Sequence, residues 1–134
     1  MKEIELDILL KNRPGAFAEV CTLLAKAKIN LRAFALTPIN SSGILQIVVD
    51  NLEKARAVLK KNRIPFIEST VLTLECADKP GEVAEVSRKL AKAGVNIDFG
   101  FASGSKKDRD LVVFEVENID KAVKILTSTN KKSA

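Results

Sequence analysis

Two short turns carry the residues of this chain that could do chemistry: Asn12-Arg13-Pro14-Gly15 and Asp78-Lys79-Pro80-Gly81. Each is followed by an amphipathic run that ends at an asparagine, Asn30 or Asn96. A Pro-Gly turn opening a helix leaves amide nitrogens free to hold a carboxylate, with help from the helix dipole. Gly15 and Gly81 would let a ligand come close to the backbone, since no Cβ intervenes. The side-chain oxygens of Asn12, Asn30, Asp78 and Asn96 can accept from an ammonium. Together these groups could meet a small ligand that carries both charges. Asp78 adds a charge that Asn12 lacks, so the two sites need not be equivalent. On residue types alone, the plainer reading is that Asn and Asp cap the helices and Pro-Gly makes an ordinary turn. The duplicated Asn30/Asn96 weighs against it, because Gly94 already serves the end of the second helix.

Other chemistry is excluded by composition. The chain has no histidine, tryptophan or tyrosine, which removes Ser-His-Asp and Cys-His triads, histidine metal sites and histidine bases. Rossmann and Walker glycine patterns are absent. No catalytic residue, cofactor or metal is therefore expected. Cys21 and Cys76 align with Ser87 and Leu10 in the repeat described next, as small or half-buried core positions. The net charge of +5 is spread over helix faces among acids, which favours a solvated surface over nucleic-acid binding. No apolar stretch approaches a membrane span and the start lacks a signal-peptide core, so a soluble, cytoplasmic protein is expected.

The turns belong to a duplication. Between Pro14 and Asn30, ten of seventeen positions are identical at a shift of 66, which makes the chain a tandem of modules covering residues 1–69 and 70–134. Ile4, Leu6, Ile8 and Leu10 alternate with Glu3, Glu5 and Asp7 as a half-buried strand. Residues 15–28 form a helix through Phe17, Val20, Leu24 and Ala27. A strand over 30–39, a hairpin loop at 40–43, a strand over 44–49, a helix from Asn51 and a short strand over 64–69 complete a βαββαβ order. The second copy repeats it with a strand over 70–77, a helix over 80–93, a strand over 95–103, a charged loop over 104–110, a strand over 111–116 and a helix over 118–127. The tail after Ser128 is too short and polar for a fourth strand. The fold class is α+β: two ferredoxin-like modules with antiparallel sheets and helices on one face, the second lacking a clear last strand.

A strand ending in Asp/Asn-Arg/Lys-Pro-Gly, an amphipathic helix, and Ile29-Asn30-Leu31 or Val95-Asn96-Ile97 opening the next strand resemble the ACT domain. Small tandem proteins of such domains are similar in length. The resemblance implies a non-catalytic regulatory protein that binds a small effector, an amino acid, where its modules meet near the Pro-Gly loops. The implied ligand residues are Asn12, Pro14, Gly15, Asn30 and Leu31 in the first copy and Asp78, Pro80, Gly81, Asn96 and Ile97 in the second. The first copy also resembles a serine-binding ACT domain, but Leu10 stands where that site has a histidine, which argues against serine itself. The alternative is a regulatory subunit or interaction module for an amino-acid-metabolism enzyme or transcription factor, without a ligand of its own. A homodimer is expected through the sheet face the helices leave open, where Phe34, Leu36, Val48, Leu111 and Val113 are expected to lie.

Overall fold

The computed structural model describes residues 1–133, apart from the side chains of 105, 106 and 129–133. Ala134, the last residue of the expected second module, lies outside them. The elements are β1 (Lys2–Lys11), α1 (Ala16–Lys26), β2 (Leu31–Ile39), β3 (Ser42–Val49), α2 (Leu52–Lys61), β4 (Phe66–Ala77), α3 (Glu82–Lys92), β5 (Ile97–Lys106), β6 (Arg109–Val116) and α4 (Ile119–Ser133). The strands expected over 64–69 and 70–77 are one element, β4. No helix among the described residues is long and apolar enough to cross a membrane.

The chain divides into two compact units, one of Ile4–Ser69 and one of Met1–Glu3 with the chain from Thr70 onward. In the first unit the strand order is β2-β3-β1-β4, with β3 antiparallel to both β1 and β2. Ala16, Val20 and Leu24 of α1 and Ala55 and Leu59 of α2 pack on Leu6, Ile8, Leu10, Leu45, Ile47 and Val49. Both helices therefore cover one face, as a 3.6-residue stripe on a two-residue alternation requires. In the second unit the order is β4-β6-β5, and Leu90 of α3 and Ala122 and Leu126 of α4 cover Leu72, Cys76, Val112 and Phe114. After β6 the described chain is helical to Ser133, so this unit draws no strand from its own C-terminal end. Met1–Glu3 run beside β4 instead, with the Thr73 amide donating to the Met1 carbonyl at 2.6 Å.

Two expectations are corrected here. The hairpin turns are tighter than expected: Asn40-Ser41 join β2 to β3, and Lys107-Asp108 join β5 to β6. Lys107 and Asp108 both take positive φ, the two-residue geometry that matches strand twist. The second correction concerns the sheet faces. A register shift between Leu31 and Ala33 reverses the alternation along β2. Ala33 then pairs with Val48 and leaves the helix-covered face, while Phe34 pairs with Ile47 and joins it. The Phe34 ring lies 5.5 Å from that of Phe17 on α1. Leu36, paired with Leu45, follows Phe34. Val48, Leu111 and Val113 do face away from the helices, but all three are buried within the single chain. The face proposed for dimerisation is therefore not available in that form.

Three helices end alike. The residue after the C-cap takes positive φ at Lys28, Arg63 and Gly94. The next amide returns to the helix, from Ile29 to Leu24, Ile64 to Leu59 and Val95 to Leu90, at 2.9–3.0 Å. Only the third uses glycine, which reaches this conformation without strain. Lys28→Gly should raise stability by about 0.5–1 kcal/mol, the left-handed strain relieved less the glycine entropy cost. Urea denaturation checks it, and a lower midpoint would contradict it.

Candidate functional site

The four described helices begin in two different ways. Asn51 accepts from the Lys54 amide at 3.1 Å, and Asn118 from the Lys121 amide at 3.1 Å, so α2 and α4 have side-chain caps. At α1 and α3 the N-cap is glycine in the left-handed region, Gly15 at φ 91 and Gly81 at φ 94, and no side chain caps either helix. Asn12 and Asp78 are thus not the caps that their types suggested. Their backbone holds the loop instead: the Asn12 amide donates to the Ser41 carbonyl at 3.0 Å, and the Asp78 amide to the Asp108 carbonyl at 2.6 Å. Each loop is thereby tied to the hairpin turn of its own unit, and neither helix start has a side-chain cap, although the Ala16 and Glu82 amides donate to the Arg13 and Lys79 carbonyls at 3.3 and 3.5 Å.

In the first unit this tie builds a pocket of about 220 Å³. Its apolar walls are Leu10 from β1, Ala16 and Phe17 from α1, and Leu36 and Pro38 from β2. Its polar edge is Lys11, Asn12, Arg13 and Thr37, and Gly43 of β3 lies among the walls. Arg13 is held across the start of α1 by donating to Glu19 at 3.1 and 3.2 Å and to the Pro14 carbonyl at 3.2 Å. Of the lining residues, sequence reasoning had placed only Asn12 in the site. The half from β2 and β3 was hidden by the bulge, which has no residue signature of its own.

The expected site residues do not all come together. Asn12 lines the pocket, and Pro14 and Gly15 form the turn beside it. Asn30 sits at the other end of the sheet, where its amide donates to Asp50 Oδ1 at 3.0 Å and its carbonyl accepts from the Asp50 amide at 3.2 Å. The eight residues of β3 separate the Ser41 and Asp50 ends, a span of roughly 25 Å. Leu31 packs against the core next to Asn30. The second unit has the same layout. Asp78, Pro80 and Gly81 form the loop. Asn96 lies at the far end, donating through Nδ2 to Asp98 at 2.8 Å, and Ile97 packs on the core.

The second loop is acidic. Burial and the neighbouring Asp78, which is also hydrogen-bonded to it, hold the Asp110 carboxyl above the usual aspartate range. Burial likewise pushes the Cys76 thiol up, and the charges of Glu82 and Asp110 add to the shift. Lys79 stands 3.6 Å from Glu82. Both cysteines are free, Cys76 buried and Cys21 half-buried.

Two units, each with helices on one face of its strands and a Pro-Gly loop opening a helix without a side-chain cap, define a pair of ACT domains. The profile of the ACT domain pair family matches residues 1–133, and the chain belongs to that family. Protein BT0572 from Bacteroides thetaiotaomicron is 31% identical, with a TM-score of 0.89 over 97% of this chain and 90% of that one. The ligand-free regulatory subunit of aspartate kinase from Thermus thermophilus is 16% identical, with a TM-score of 0.64 over 93% and 91%. Aspartokinase alpha and beta subunits are also 16% identical, with a TM-score of 0.66 over 98% and 96%. At that identity the last two show the fold alone. No curated protein matches the sequence.

Two stability measurements check the local assignments. Asn51→Ala should cost about 0.5–2 kcal/mol for a lost cap, whereas Asn12→Ala should cost less than about 0.5 kcal/mol. Equal losses in urea denaturation would mean that Asn12 caps α1 after all. Asp110→Asn should raise the melting temperature at neutral pH. A carboxyl whose pKa is raised by folding destabilises above that pKa and is neutral in both states well below its ordinary value, so the gain should fade as pH drops through the aspartate range. A gain independent of pH would contradict this.

Proposed function

We propose that this chain is a non-catalytic regulatory protein whose first module binds a free amino acid at the Asn12–Gly15 loop. The observation that supports it is the uncapped start of α1 beside a pocket with cationic, amide and apolar walls. The carboxylate lies toward the α1 amides and Lys11, in the position a helix start favours for an anion. The Asn12 side-chain oxygen and the Thr37 hydroxyl accept from the ammonium. Family membership supports the regulatory reading, since ACT domains are regulatory modules. Asp78, Pro80 and Gly81 are the matching loop of the second module, and Asn30 and Asn96, with Leu31 and Ile97, hold the far ends of β2 and β5. A regulated enzyme as partner rests on the shared fold with the aspartate kinase regulatory subunit.

We assign self-association to the open sheet face of the first unit, but through other residues than those expected. Leu9 is 51% exposed and Ile67 69% exposed on the face away from the helices in the first unit, beside Ile44 in an apolar depression of about 290 Å³. Sedimentation equilibrium at micromolar concentration should show a homodimer that Ile67→Glu dissociates and Phe34→Glu does not. A monomer, or the opposite response, contradicts it.

The binding claim is tested by thermal shift with the twenty amino acids. A ligand at a hundred times its Kd stabilises the native state by about 2.7 kcal/mol. At least one amino acid should raise the melting temperature of the full chain, and Lys11→Ala should weaken that response. No response at millimolar concentration from any of them would contradict the reading.

A further inference from the structure

We infer that the two Pro-Gly loops have diverged into unlike sites, so that the chain holds one ligand, a small aliphatic amino acid, in the first module. This rests on the reading of the first loop as a binding site. Strand register equates the two loops without ambiguity: Leu10 pairs with Gly43 in the first unit, and Cys76 with Asp110 in the second.

Compared position by position, the walls change while the frame does not. Phe17 and Leu36, which supply apolar wall in the first pocket, are replaced by Val83 and Ala102. Lys11 is replaced by Ala77, Ala16 by Glu82, and Gly43 by Asp110. The first pocket is lined by two cations and no carboxylate. The second loop brings Asp78 beside Asp110, and Asp110 and Glu82 near Cys76, with Arg109 also close; Lys79 already stands 3.6 Å from Glu82. Opposite ends of a ligand are affected together. Its carboxylate meets three acids at the second loop, and its side chain loses the two largest apolar walls.

The walls of the first pocket, more than its volume of about 220 Å³, set the ligand class. Leu10, Phe17, Leu36 and Pro38 are apolar, so a hydroxyl or carboxylate set against them would lose hydration without gaining a partner from these walls.

Gly43 gives the decisive variant. A Cβ built there meets the Thr37 carbonyl at 3.6 Å and Leu36 Cδ1 at 3.8 Å, both ordinary contacts, and its φ needs no glycine. Gly43→Val therefore places methyl groups beside Leu36 without backbone strain, and valine suits a strand. Calorimetry on the full chain with L-valine, L-leucine, L-serine and L-aspartate should give one site per chain. Valine or leucine should bind at least tenfold more tightly than serine or aspartate. Gly43→Val should weaken that binding more than tenfold with little change in melting temperature, and Asp110→Asn should leave it unchanged. If Gly43→Val does not fold, Leu36→Ala, at an exposed position, should weaken leucine binding at least threefold and leave the serine affinity unchanged. Two equivalent sites per chain, tightest binding of serine or aspartate, or an affinity unmoved by either variant would overturn this inference while leaving the first loop a binding site. Absence of binding by every amino acid in the thermal-shift panel would instead overturn the reading beneath it.

Discussion

The left-handed glycine at the start of α1 and of α3 is the constraint on which the rest of the site depends. At φ 91 and 94 the backbone turns from strand into helix in a conformation that a side chain with a Cβ reaches only with strain. That turn leaves no residue placed to cap the helix, so the loop needs another anchor. The anchor is the hydrogen bond from Asn12 or Asp78 to the hairpin turn across the sheet end. In the first unit that bond brings the loop beside Leu36, Thr37 and Pro38 of β2 and encloses a pocket. The helix start, the cationic edge and the apolar walls thus follow from one backbone geometry.

Much of this was legible in the residues. The alternation of Ile4, Leu6 and Ile8, the helical stripe of Val20 and Leu24, and the helix start at Asn51 each have a local cause, and each stands as read. The duplication is confirmed as a domain pair. What escaped was set by features without a local signature. The bulge between Leu31 and Ala33 cannot be told from a regular strand of apolar residues, yet it moves Phe34 and Leu36 to the opposite face. Asn12 looks like a cap because its type suits that role, and only the φ of Gly15 shows that the helix begins elsewhere. Asn12 and Asn30 look like partners because the family resemblance assigns both to one ligand. Since β1 and β2 run the same way on either side of β3, they lie at opposite ends of the unit.

Duplication gave the two modules the same frame, and the frame has been kept where geometry demands it. Gly15 and Gly81 take the same φ, and the helices end with the same return of the sixth amide. Where geometry is indifferent, chemistry has diverged. Phe34 stands opposite Ile47 in the first unit, whereas Gly100 stands opposite Phe114 in the second, where a Cβ would come within 2.7 Å of the phenyl ring. The aromatic group has changed strand while the layer stays filled, an exchange that packing permits because only total volume is fixed. The loops differ in the same manner, cationic in one unit and acidic in the other.

The central claim is that the open start of α1 receives the ligand carboxylate. It is tested most directly by following backbone amide resonances as the stabilising amino acid is added to the full chain. The account predicts that the amides of Phe17 and Ala18, together with the Lys11 and Asn12 resonances, move with a common saturation curve. The amides at the capped start of α2, including Lys54, should stay in place. Saturable shifts confined to residues away from the 11–18 segment, with Phe17 and Ala18 unmoved, would contradict it.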